Sequence, residues 1–187
     1  MITQRNANWL EWIADEKFND ADLFRIVKFF VFHSPCQNLS ARGKSLHEYG
    51  WNNPWKNPYW LNKQLCQVSS SQKLVFSSKT VKDMDPVLAE ADLLHNFPHN
   101  FERERICIYD NKSNQFMSIF YHIRNALAHG RLNMKDNYGS CVFVLEDVTK
   151  REDKLFVTAR MIIKKETLLK WIDIIEQGEK VFQKASL

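Results

Sequence analysis

The sequence has little of what marks membrane, secreted or nucleotide-hydrolysing proteins. Its longest uninterrupted apolar run is five residues, 141–145, far below the roughly 20 that span a bilayer, so we expect no membrane association. The first residues lack the apolar stretch and cleavage site of a secretory signal, so we expect a cytoplasmic protein. A glycine-rich phosphate loop is also missing, which argues against the usual kind of nucleoside triphosphatase.

Cysteine is scarce and widely spaced. The four cysteines lie 30 to 41 residues apart without a C-x-x-C pair, which is untypical of zinc ribbons and of disulfide frameworks. We therefore predict reduced thiols. His33 lies three residues before Cys36, but the sequence offers no matching second pair, and His95 and His99 are separated by Pro98. These spacings predict neither a metal site nor a cofactor.

The residues that are abundant predict one folded domain. The chain has 187 residues, of which 44% are hydrophobic, and it contains 13 Phe, 6 Trp and 5 Tyr. A length near the roughly 150 residues of a typical domain, with so many aromatic side chains, favours a single domain with a sizeable core. We place that domain over residues 1–187.

The hydrophobic spacing predicts a mainly α fold. Apolar residues recur at intervals of three and four through a helical core at about 7–133, beginning at Trp9 and Trp12. Two segments rich in β-branched and aromatic residues flank a polar turn at about 140–163 and predict a β-hairpin. Helical spacing returns at about 165–183. The Trp-rich segment 51–60 suits base stacking or packing onto the body, of which we favour packing.

The strongest predicted helix, 113–128, has one apolar and one polar side. The apolar sector contains Phe116, Ile119, Phe120, Ile123 and Leu127, whereas His122, Asn125 and His129 fall about 240°, 180° and 220° from Phe116. We expect these three polar side chains to share an exposed stripe. Arg124 lies at about 80°, so it must reach around the helix, or meet the stripe of a second chain, to act with His129.

This helix lies in a stretch without acidic residues. Between Asn111 and Lys135 the chain has Lys112, Arg124, Arg131 and Lys135 but no Asp or Glu. A local positive surplus attracts polyanions, although a short basic stretch is often only a solvated face. His129 and Gly130 also have an ordinary interpretation, because a histidine in the last turn and a following glycine commonly end a helix.

The string Arg124-Asn125-Ala126-Leu127-Ala128-His129 resembles the R-N-x-x-x-H signature of the HEPN superfamily, small helical domains of which many are metal-independent ribonucleases. The resemblance implies an antiparallel helical bundle with a late β-hairpin and a C-terminal helix. The downstream pattern is similar to that of plasmid- and defence-associated bacterial members. It implies a toxin or anti-phage role, with an antitoxin or defence-system partner.

The resemblance also implies site roles. His129 acts as general acid or base, Arg124 binds the scissile phosphate, and Asn125 orients the imidazole or contacts substrate. Two such helices meet across a homodimer, and a 2′-hydroxyl attacks phosphorus to leave a 2′,3′-cyclic phosphate and a 5′-hydroxyl. The basic window and the polar stripe, not the motif, make Arg131, His122 and Lys135 candidate additional contacts to RNA. His122 is alternatively a second proton-transfer group or simply solvated.

Three points stay open at this stage. Arg131 stands where one HEPN subgroup has a tyrosine, which argues against a mechanism based on tyrosine modification. Asp92 or Glu90 is a candidate for assisting the site, but no spacing selects either of them. The alternatives to an endonuclease are a non-catalytic HEPN module that binds RNA, a nucleotide or a protein, and a purely structural helical domain.

Overall fold

A computed structural model describes residues 20–36, 42–54, 60–69, 71, 73–95, 97–98, 100–112 and 114–184. The helix predicted around Trp9 and Trp12 lies outside these residues. Within the described ranges, no helix is both long enough and apolar enough to cross a bilayer.

The described chain contains six α-helices and five β-strands. The helices are α1 (Ala21–Val27), α2 (Trp60–Gln67), α3 (Met84–Glu90), α4 (Gln115–Ala128), α5 (Lys165–Gln177) and α6 (Glu179–Lys184). The strands are β1 (Val75–Ser78), β2 (Arg105–Tyr109), β3 (Leu132–Asn137), β4 (Ser140–Arg151) and β5 (Lys154–Lys164). A π-helical turn, Lys28–His33, continues α1, and a 3₁₀ turn, Val81–Asp83, leads into α3.

The strands form one five-stranded sheet in the order β1-β2-β5-β4-β3. β1 and β2 are parallel, whereas the other neighbours are antiparallel. The expectation of a mainly α, antiparallel helical bundle is therefore wrong, because β1 and β2 fall inside the predicted helical core and β3 begins at its end. Within this sheet, β4 and β5 pair as the late hairpin that the sequence predicts, with an irregularity between Asp147 and Val148.

Burial explains why the sheet was not predicted. The first four of the five residues of β2 are buried, so its sequence shows no alternation between apolar and polar positions. A short buried strand of this kind cannot be told from a piece of buried helix by periodicity. β1 is only four residues long, and β3 follows directly on a helix end. β3 has six residues, but its polar Asn133 is buried between Leu132 and Met134, so its burial does not follow an alternation of apolar and polar residues.

The two faces of the sheet carry two separate hydrophobic clusters. The first cluster joins α1, α2, α4 and α5 to one face, to which β4 contributes Phe143 and Leu145. The second joins α3 to the other face, to which β4 contributes Val142 and Val144. Since side chains alternate along a strand, each position of β4 is assigned to one face.

Aromatic contacts hold α4 in the first cluster. Phe116 packs edge-on against Trp171 of α5 with ring centroids 5.7 Å apart, and Phe120 lies 5.9 Å from Phe30. Trp51 is buried and donates from Nε1 to the carbonyl of Ile175 at 3.0 Å. Trp51 therefore packs onto the body, as favoured for its segment, whereas residues 55–59 lie outside the described residues.

The predicted C-terminal helix is divided in two. Gly178, with φ of +73°, separates α5 from α6, and a Cβ at this position would meet the Tyr49 carbonyl oxygen at 2.6 Å. Only glycine accepts this backbone conformation at so close an approach.

The four cysteines are all free, with Cys36 and Cys107 buried.

Candidate functional site at the end of helix α4

Helix α4 begins and ends with capping contacts that the sequence encodes. The side chain of Asn114 accepts from the backbone N–H of Phe116 at 2.8 Å, which satisfies one of the free N–H groups of the first turn. At the other end, Gly130 has φ of +66°. The N–H of Arg131 then reaches the Ala126 carbonyl at 2.8 Å, completing a Schellman motif. This motif fixes the position of His129 at the C-cap.

His129 is exposed at that end of the helix. Among the described residues, none hydrogen-bonds to its imidazole ring. The ring is therefore open to a ligand or to a second chain. The negative end of the helix dipole favours a cation at this position.

His122 does not lie in the exposed stripe that the helical spacing predicts. Its side chain is 1% exposed. Nδ1 lies 2.7 Å from Oδ2 of Asp147, and Nε2 lies 2.7 Å from the carbonyl oxygen of Tyr109. A helical projection assumes one buried face, whereas α4 contacts the π-helical turn on one side and strands β2 and β4 on another. Strands β2 and β4 therefore cover the side of the helix on which His122 lies.

The hydrogen-bond partners of His122 determine which of its ring nitrogens donates. A carbonyl oxygen only accepts, so Nε2 carries a hydrogen and donates it to Tyr109. A second hydrogen lies between Nδ1 and the Asp147 carboxylate. Both polar groups of the buried pair thus have hydrogen-bond partners, which offsets the cost of their burial.

Asn125 connects this buried pair to Arg124. Its Nδ2 donates to Oδ2 of Asp147 at 3.3 Å, and its Oδ1 accepts from Nη1 of Arg124 at 3.0 Å. The two contacts together determine the orientation of the amide. Arg124 therefore contacts the polar side of the helix at Asn125. A chain of hydrogen bonds runs from the half-buried guanidinium to the buried histidine.

Arg131 and Lys135 lie on the other face of the sheet. Arg131 hydrogen-bonds to Glu146, which also accepts from Nε of Arg160 at 2.9 Å. Burial raises the pKa of the Glu146 carboxyl, and the two guanidinium groups oppose that shift. Lys135 Nζ lies 5.3 Å from the ring centroid of Phe97, which packs against the second cluster. The side chains of Arg131 and Lys135 therefore lie against Glu146 and Phe97, on the face of the sheet opposite α4.

Sequence reasoning missed Asp147. The candidates named for an assisting acid were Glu90 and Asp92, but these pair with Lys73 and Arg105 away from α4. The signal for Asp147 was strand alternation, because Asp147 follows Phe143 and Leu145 at intervals of two and so faces α4.

A pocket of about 210 Å³ lies beside the hydrogen-bonded chain. Its lining comes from α4, the ends of β4 and β5, and the segment after β2: Tyr109, Asn111, Tyr121, His122, Asn125, Asp147, Val148, Thr149, Arg151 and Thr158. Two basic side chains lie at this side of the molecule. Arg151 is exposed, and Lys112 Nζ lies 4.2 Å from the ring centroid of Tyr121. The pocket thus combines a polar floor with a positively charged rim.

In the described part of the chain, no group of three or more His, Cys, Asp or Glu side chains is arranged to hold a metal ion. Comparisons with protein-family models, with curated proteins and with solved structures find no match to this chain. The candidate site is therefore assigned from its own geometry and from the motif.

Proposed function

We propose that this chain is a metal-independent RNA endonuclease, in which His129 transfers protons and Arg124 binds the scissile phosphate. The observation that carries the proposal is the fixed position of Arg124. Asn125 holds the guanidinium of Arg124 and is itself held by Asp147. A cation fixed in advance stabilises the charge that develops on a phosphate without further reorganisation.

The chemistry suits the imidazole and the guanidinium of the motif. A base removes the proton of a ribose 2′-hydroxyl, the oxygen attacks the adjacent phosphorus, and the bond to the 5′-oxygen breaks as that oxygen gains a proton. The products are a 2′,3′-cyclic phosphate and a 5′-hydroxyl. Imidazole is suited to both proton transfers near neutral pH, and the forked guanidinium suits phosphate oxygens.

A second copy of the chain completes the site in this proposal. Arg124 is held by Asn125 of its own chain, whereas the exposed ring of His129 is open to a second chain. In a two-fold dimer the same surface of both chains meets. Two α4 ends placed together give two equivalent sites, each with Arg124 of one chain and His129 of the other.

A non-catalytic RNA-binding module is the second candidate. It is favoured because the ring of His129 has no hydrogen-bond partner among the described residues. Catalytic histidines are commonly oriented by a second group. In this alternative, Arg124 and the basic rim bind RNA, and no bond is broken.

The test is cleavage of mixed RNA in EDTA by wild-type protein, His129→Ala and Arg124→Ala. His47→Ala and Arg103→Ala serve as matched controls, because both residues are exposed and lie outside the pocket. We expect cyclic-phosphate ends from the wild type and the controls, and a loss of about 100-fold or more in each motif variant. Equal cleavage by all five proteins, or cleavage that requires a metal, contradicts the proposal. Salt-sensitive binding without cleavage supports the binding module.

A further inference from the structure

We propose that the pocket beside α4 binds the amino edge of a nucleobase, and that it prefers cytosine to uracil in the RNA strand. This inference rests on the proposed action on RNA and adds a base preference to it. The pocket volume of about 210 Å³ is below the roughly 300–1,000 Å³ of pockets for drug-sized ligands. A space of this size suits one ring with its substituents.

The pocket presents hydrogen-bond acceptors that its own walls leave unused. Oδ2 of Asp147 accepts from His122 and Asn125, whereas Oδ1 makes no hydrogen bond with any described residue. Oδ1 of Asn111 is a second acceptor, buried and without a partner among the described residues. A buried acceptor without a partner, such as Asn111 Oδ1, is uncommon in folded proteins and calls for a donor. Both belong to residues that line the pocket.

Two neighbouring acceptors favour a ligand group that has two N–H bonds to donate. The exocyclic amine of cytosine has two N–H bonds, and Asp and Glu are known acceptors for this amine. At the same position uracil carries a carbonyl oxygen, which is itself an acceptor, so it would face the carboxylate of Asp147 without a hydrogen between them. A phosphate is disfavoured on the floor of the pocket for the same reason. The floor therefore suits a base, whereas the rim suits the backbone.

The residues around the mouth of the pocket are suited to bind the RNA strand on either side of such a base. Tyr121 is half-buried in the wall and stands against the ring of His122 at a centroid distance of 5.2 Å. Single-stranded RNA is commonly recognised by bases that are turned out, packed on aromatic or guanidinium groups and hydrogen-bonded along their edges. Arg151 is exposed at the mouth, and Lys112 lies over Tyr121. These cations are placed to bind the flanking phosphates.

Asn125 links the pocket wall to Arg124, so an inserted base lies next to the proposed phosphate site.

The experiment compares hexacytidylate with hexauridylate, which differ in the base edge but share the pyrimidine ring and the backbone. Fluorescence anisotropy is measured on His129→Ala, so that the RNA is not cut. In that background, Asn111→Leu removes the acceptor, Asn111→Asp retains one, and Asn62→Leu is a matched control on α2, outside the pocket. Thermal melting of each protein checks that it is folded.

We expect the cytidine oligomer to bind about tenfold more tightly, since a hydrogen bond to a charged group is worth about that factor or more. Asn111→Leu reduces this preference by about threefold to tenfold, whereas Asn111→Asp and Asn62→Leu keep it. Equal binding of the two oligomers, a preference for uridine, or a cytidine preference unchanged in Asn111→Leu overturns the inference.

The outcome is separable from that of the proposed nuclease. Cleavage by the wild type with equal binding of both oligomers refutes the base pocket and leaves the nuclease standing. A cytidine preference without cleavage refutes the nuclease and supports the pocket.

Discussion

Arg160 donates from Nε to Oε2 of Glu146 at 2.9 Å, and both side chains are buried. Nη1 of the same guanidinium donates to the carbonyl oxygens of Leu93 and Leu94, each at 2.8 Å. We expect Arg160→Met to lower the free energy of unfolding by about 3–5 kcal/mol, because it leaves a buried carboxylate with less compensation. Urea denaturation followed by circular dichroism measures the difference.

The control for this prediction is an ion pair of the same chemistry at the surface. Arg25 contacts Asp173 and Glu176, and these side chains are 43%, 46% and 48% exposed. Arg25→Met is expected to cost about 1 kcal/mol or less, since water screens exposed pairs. Equal losses in the two variants would show that the Glu146 pair contributes no more than a surface contact.

The pairing of His122 with Asp147 predicts a non-additive double variant. His122→Phe leaves a buried carboxylate, and Asp147→Leu leaves a buried imidazole, so each is expected to cost about 3–5 kcal/mol. The double variant removes both polar partners and is expected to be less destabilised than the sum by at least about 1 kcal/mol. Urea denaturation of the four proteins completes the cycle. Additive losses would mean that the two side chains do not stabilise each other.

The sequence predicts those features of the fold that depend on a few neighbouring residues. Helix α4 has a side-chain cap at Asn114 and a glycine at Gly130, and both are readable from a few neighbouring residues. The hairpin of β4 and β5 likewise follows from two strand-like segments around a polar turn. The sheet as a whole was not predictable, because the partner of β2 in its antiparallel pairing is β5, more than fifty residues later in the chain.

The candidate site was predictable only in part for the same reason. The helical spacing predicts an exposed His129, which the structure confirms, and the structure adds the contact between Arg124 and Asn125. Whether a polar residue of a helix faces solvent or strand depends on which elements pack against it. That information is not present in the helix itself, so the buried state of His122 could not be derived from its spacing.

The pKa of Asp20 predicts a loss of stability in acid. Burial pushes this pKa upward, but hydrogen bonds from Lys165 and from the N–H groups of Asp22 and Leu23 outweigh burial, so the net shift is downward. A carboxyl with a lowered pKa in the folded state stabilises the protein above its unfolded pKa of about 4, and this contribution is lost as the pH falls through the folded pKa.

The variant that isolates this effect is Asp20→Asn, because asparagine caps a helix as well as aspartate does. We expect it to be less stable than the wild type by about 1 kcal/mol at neutral pH, since it loses the ion pair with Lys165. The difference is expected to vanish near pH 2, as measured by urea denaturation across the pH range. Asp153→Asn is the control, because Asp153 is 93% exposed. A difference between wild type and Asp20→Asn that does not change with pH would contradict the ionic origin.

The proposed composite site predicts that two inactive variants restore activity when they share a dimer. In a mixed dimer of Arg124→Ala and His129→Ala, one of the two sites receives an intact arginine from one chain and an intact histidine from the other. Equal mixing with full exchange makes about half of the dimers mixed, so about a quarter of the wild-type cleavage is expected. The variants are refolded together, dimer formation is checked by light scattering, and RNA cleavage is measured in EDTA. Each variant refolded alone is the control and stays inactive. If mixed dimers form and cleavage does not return, Arg124 and His129 do not act across the interface.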